Sequence, residues 1–141
     1  MKSLAGKAGV ICVIMGLTLF AYSEVRGEDW KLFKKTADAK FYYDRKDITR
    51  SPQKLVSVWV KQVYTKKGKI DMINLVGPRY EHLSYSSNSL EFDCGAKMVR
   101  FVSMTYYSKN GDVLGLEDST DKWESITPNS VFDALHKKVC K

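Results

Sequence analysis

The dipeptide Asn110-Gly111 stands between two runs rich in branched and aromatic residues, Met98 to Ser108 and Val113 to Glu117. Asn and Gly both tolerate the positive φ angles that the two central residues of a type I′ turn require, and that turn matches the natural twist of paired strands. The chain is therefore predicted to double back antiparallel at this point, and Ser89 to Asp118 to form a β-meander. The stretch constrains the scaffold but carries no reactive constellation.

Other segments extend the sheet. Trp30 to Lys35 and Ala39 to Asp44 are short, aromatic-rich and separated by Thr36-Ala37-Asp38, which predicts a hairpin. Asp44 to Gln53 reads as a loop, since Pro52 cannot donate to a ladder. Leu55 to Tyr64 is the strongest strand, with Val56, Val58 and Val60 on one face and Leu55, Trp59 and Val63 on the other. Such two-sided apolarity predicts a central strand. Thr65 to Lys69 reads as a polar turn centred on Gly68, and Ile70 to Val76 fits a short helix or a strand until Gly77-Pro78 ends it. Arg79 to Ser86 is predicted as a strand, Tyr85 to Ser89 as a polar turn, and Leu90 to Cys94 as the way into the meander. Ser130 to Val139 has the marks of a helix: Ser130 as cap, Asp133 three residues later, and Lys137 and Lys138 near the negative end of the dipole. Phe132, Leu135 and Val139 share one face, suited to docking on a sheet. The fold class expected is α+β, a single antiparallel sheet of about six strands with a C-terminal α-helix packed on it.

The first 23 residues form a unit of their own. Lys2 and Lys7 precede an apolar run from Val10 to Phe20, too short for a stable membrane span, and Ala21-Tyr22-Ser23 offers small residues around a cleavage point. Residues 1–23 are expected to be a signal peptide cut after Ser23, leaving 24–141 as one domain. Cys12 follows Ile11, where lipidation wants a small residue, and should leave with the signal. That leaves Cys94 and Cys140 in an exported chain, where they are predicted to pair as a structural disulfide.

The whole chain carries a net charge of +7. Its lysines fall in small groups (Lys34-Lys35, Lys66-Lys67, Lys137-Lys138) and form no continuous phosphate-binding stripe, so nucleic acid is not an expected partner. Neither GxSxG, HExxH nor a glycine-rich phosphate loop occurs, and the two histidines, His82 and His136, have no second ligand at a diagnostic spacing. No catalytic residue, metal site or cofactor is expected. His82 leaves haem or another small aromatic ligand as a remote alternative. His136, close to a helix C-terminus, is where the dipole favours an imidazolium.

The aromatic residues offer more. Tyr42, Tyr43, Trp59, Tyr64, Tyr106 and Tyr107 fall on predicted strands, and because successive side chains alternate, about half should point away from the core. Large rigid side chains beside lysines are what a protein-binding surface uses. Tyr42, Tyr43 and Trp59 are the candidate partner-binding residues. Burial of the same face in a homodimer of an envelope subunit is the alternative.

The order Trp30, YYD at 42–44, VWVK at 58–61, FDC at 92–94, YYSKNG at 106–111, WESITPNS at 123–130 and the closing VCK at 139–141 resembles the surface-adhesin protein E family along essentially the whole mature chain. The resemblance implies an antiparallel sheet with a carboxyl-terminal helix, a Cys94–Cys140 disulfide, a non-enzymatic binding role and self-association. The adhesin that names the family is lipid-anchored on a bacterial outer surface. No cysteine opens the mature part here, so a periplasmic or secreted location in a Gram-negative bacterium is expected.

Overall fold

The structure, a computed structural model, describes residues 28–119 and 121–141. The expected signal peptide and its cleavage point lie outside the described residues. Trp30–Lys35 (β1) and Ala39–Asp44 (β2) form the predicted hairpin, and Thr36 closes it by hydrogen-bonding to Ala39. The short Thr49–Arg50 (β3) adds to the end of Leu55–Tyr64 (β4). Then follow the helix Lys66–Val76 (α1), a 3₁₀ turn at Pro78–Tyr80, the long antiparallel strands Leu83–Asp93 (β5) and Met98–Ser108 (β6), Val113–Asp118 (β7), the two-residue Glu124–Ser125 (β8) on β6, and Val131–Val139 (α2). The main sheet runs β1-β2-β4-β5-β6-β7, every pair antiparallel. This is the expected α+β architecture, with one helix more than predicted. No helix among the described residues is long and apolar enough to cross a membrane.

Three local expectations are corrected. Leu83–Asp93 is one continuous strand, where the polar run Tyr85 to Ser89 predicted a turn. Both neighbours hydrogen-bond along it, and its polar residues are accommodated in place: the buried Ser86 lies 3.4 Å from the Tyr64 hydroxyl. The stretch from Thr65 is not a turn but the start of α1, because the Thr65 hydroxyl accepts from the Gly68 amide and caps the helix. The hairpin at Asn110-Gly111 forms, but only Gly111 has positive φ, at 88°. Gly111 N–H donates to Ser108 O and Ser108 N–H to Asp112 O, giving a three-residue loop whose left-handed position is the glycine.

Both helices pack on one face of the sheet. Over the half near β3 and β8, α2 buries Leu135 and Val139 against Tyr43, Val56, Val58, Leu90, Phe92 and Val99. Over the other half, Met72 and Ile73 of α1 pack with Tyr80 against Tyr64, Leu83 and Tyr106. Cys94, just past β5, is disulfide-bonded to Cys140, just past α2, with Cα atoms 5.5 Å apart. Ser130 caps α2 as predicted, its hydroxyl accepting from the Asp133 amide. His136 lies in the last turn of α2, buried beside Phe92 with ring centres 6.1 Å apart, and its Nε2 has no hydrogen-bond partner among the described residues.

Candidate functional site

Alternation along the strands gives the sheet a second face, and no helix or strand among the described residues packs over it. Val58, Val60 and Tyr64 of β4 point into the covered side, so Ser57, Trp59, Lys61 and Val63 point out of the other. The ladders then fix what stands beside them. One row runs Leu32, Tyr42, Lys61, Ser87, Thr105, Leu116 across six strands. The next runs Lys40, Val63, Tyr85, Tyr107, Val113, and on the opposite flank Trp59 lies across from Ser89, which lies across from Ser103. Four small hydroxyl side chains, Ser87, Ser89, Ser103 and Thr105, therefore form a low central patch with large side chains around it.

Lys61 is the centre of one flank. Its ammonium lies 4.7 Å from the centre of the Tyr85 ring and 5.9 Å from that of Trp30. Tyr85 stacks on Tyr107 at 4.9 Å with the planes 17° apart, while Trp30 Nε1 donates to Glu28 at 3.1 Å. Partial burial pushes the Tyr85 hydroxyl above its ordinary pKa, reinforced by Tyr107 and Glu28. At the other end Arg100 donates twice to one carboxylate oxygen of Glu91, at 3.0 and 2.8 Å, and lies 4.7 Å over the Trp123 ring. Charged side chains packed over aromatic rings make the face amphipathic.

Of the residues singled out from sequence, Tyr42 and Trp59 stand on this face, and Trp59 is 37% exposed. Tyr43 does not. It is 8% exposed and points into the core, edge-on to Phe33 at 5.8 Å. A Tyr42-Tyr43 pair is impossible on one face of a strand, because neighbours along it point in opposite directions. Sequence reasoning missed Lys61, although its even spacing from Trp59 on a recognised strand was the available signal. Trp30, Tyr85 and Trp123 depend on register and on a loop, which local pattern does not reveal. His82 is solvent-exposed just before β5. Among the described residues no group of three or more His, Cys, Asp or Glu is placed to hold a metal ion.

The rims of this face are also apolar. Val113 and Leu116 on the edge strand β7 are each 62% exposed, and Leu32 on the opposite edge strand is 36% exposed. A family model described as surface-adhesin protein E matches residues 30–141. No curated protein and no solved structure matches the chain.

Proposed function

From the premise that this chain belongs to the surface-adhesin protein E family, we propose that it is a non-enzymatic binding domain that contacts a protein partner through the open face of its sheet. The family and the Cys94–Cys140 disulfide both support a site of action outside the cytoplasm. Within that frame the periplasm or outer surface of a Gram-negative bacterium is the location we infer.

The observation that carries the reading is the uncovered face itself. A two-layer domain ordinarily leaves the solvent face of its sheet polar, whereas here Trp30, Tyr42, Trp59, Tyr85 and Tyr107 share it with Lys61. Aromatic anchors around small hydroxyls suit a partner surface that is partly apolar and carries acceptors for Lys61. A homodimer through the same face is the second reading, favoured by the exposed Val113 and Leu116 on the edge strand. Haem carriage has the geometry against it, since His82 is solvent-exposed and outside both hydrophobic clusters.

A photoreactive phenylalanine analogue at Ser87, in the centre of the face, tests both. The control is the same analogue at Leu75, which is 80% exposed on α1. Illumination in the native envelope should give an adduct from position 87 and none from 75. An adduct of twice the chain mass assigns the face to a second copy, and a different mass to another protein. Equal labelling from the two positions, or none from 87, overturns the proposal.

A further inference from the structure

The two hydrophobic clusters do not quite meet. Between them, on the covered face and under the first turn of α2, lies a cavity of about 270 Å³ whose walls include Phe33, Phe41, Phe101 and Phe132. Its floor includes Asn88, which pairs across the ladders with Val60 on one side and Met104 on the other. Asn88 is 4% exposed, and its Oδ1 has no hydrogen-bond partner among the described residues. One step along the same face Ser86 is also buried, but its hydroxyl is within reach of Tyr64. Asn88 is thus the polar side chain of this strand face that burial has left with an unused acceptor, and it adjoins the space.

An unpaired amide oxygen beside a space lined, apart from Gln62, by apolar side chains is unfavourable for folding alone, since an apolar side chain of the same shape would leave no acceptor unsatisfied. It is favourable if something enters that brings a donor. A water molecule would satisfy Oδ1 but takes only about 30 Å³. An apolar cavity of about 150 Å³ holds a benzene ring, so this one admits a ring with a short substituent. Phenylalanine walls suit an aromatic guest, which packs edge-on or offset against them. We propose that the cavity is a binding site for a small single-ring aromatic molecule carrying a hydroxyl, with the ring among the phenylalanines and the hydroxyl donating to Asn88 Oδ1. The site is on the opposite side of the sheet from the open face, and it stands or falls independently of the partner-binding reading.

Titration of the disulfide-bonded protein with benzyl alcohol and with toluene, followed by the ¹³C shift of the Met104 methyl, tests the proposal. Both should give a saturable shift, with the alcohol binding about three- to tenfold more tightly, the range expected for one net hydrogen bond. Asn88→Leu should abolish that preference while leaving toluene binding within about twofold of its original strength. Val131→Trp, which fills the space from the helix side, should remove both. Absence of a saturable shift with either probe, or equal affinities for the two in the unmodified protein, overturns the proposal even if neither variant folds.

Discussion

Arg50 donates a 2.6 Å hydrogen bond to the carbonyl oxygen of Val139, so the last turn of α2 is tied to the sheet by a side chain as well as by the disulfide that begins at the next residue. A nine-residue helix is too short to persist alone. The two ties and the burial of Leu135 and Val139 keep it docked. With the cysteines 46 positions apart in sequence, the chain-entropy account gives the disulfide about 4 kcal/mol. Replacing both cysteines by serine should lower Tm by more than about 10 °C, at roughly 4 to 8 °C per kcal/mol for a domain of this size. Arg50→Ala should cost about 1 to 2 kcal/mol. Calorimetry checks both, and amide exchange in residues 131–139 should rise in the cysteine-free protein well before exchange in β5.

Gly68 makes a test in which two physical effects have opposite signs. In the first turns of a helix, Gly→Ala is ordinarily stabilising, by up to about 1 kcal/mol. Here a Cβ would run into the backbone carbonyl oxygen of Asp38, which already accepts from Thr65 N–H. Neither partner is a flexible side-chain end, so the clash must move α1 away from the β1–β2 hairpin. Gly68→Ala should therefore destabilise by about 1 to 3 kcal/mol, read from urea denaturation. An unchanged or raised midpoint would show that helix propensity outweighs the contact.

The same residue shows where sequence reading stops. Gly68 among lysines is good turn composition, and what makes it helical is a cap at Thr65 and a close approach to a chain segment 30 residues earlier. Leu83–Asp93 is a second instance: Ser84, Ser86, Ser87, Asn88 and Ser89 look like a loop in isolation, and two neighbouring strands make them a ladder. Elements whose signal is local were legible. The hairpin of β1 and β2, the alternation of β4 and the capped helix at Ser130 all follow from residues within a few positions of one another. The open face was legible only in its parity. Which rows line up across six strands depends on register, and the bulge between Ser89 and Leu90 in the β5–β6 ladder resets it without any glycine or proline to announce it.

Asp133 predicts a pH dependence of defined sign. Its carboxylate accepts from Asn129 N–H at 2.9 Å and sits 3.3 Å from the Lys137 ammonium. The Asn129 amide, with Lys137 adding, holds its pKa below the ordinary 3.8. A depressed folded-state value means the unfolded chain takes up the proton first on acidification. The contribution to stability is then complete well above pH 4, and is lost as pH falls through the ordinary value to the depressed one. Asp133→Asn should lower Tm at pH 7 and have a progressively smaller effect as the pH is taken down below 4. A difference that persists unchanged in acid would assign the residue's effect to packing and not to charge.

Tyr42 and Tyr43 are neighbours in sequence on opposite sides of the sheet, and that separation turns them into a paired test of the binding surface. Tyr43 is buried against Phe33 and the α2 cluster, so Tyr43→Ala opens a cavity and should cost about 3 to 5 kcal/mol, as large aromatic truncations in cores do. Tyr42 lies across from Lys61 on the open face, where truncation removes partly exposed surface and should cost about 1 kcal/mol or less. Trp59→Ala belongs with Tyr42. In the photocrosslinking assay the order should invert: Tyr42→Ala and Trp59→Ala reduce the adduct from position 87 severalfold, while Tyr43→Ala leaves it intact at temperatures where the variant remains folded. Equal adduct yields from all three folded variants would mean that the aromatic side chains of this face are ornament to the sheet and that recognition lies at its edges.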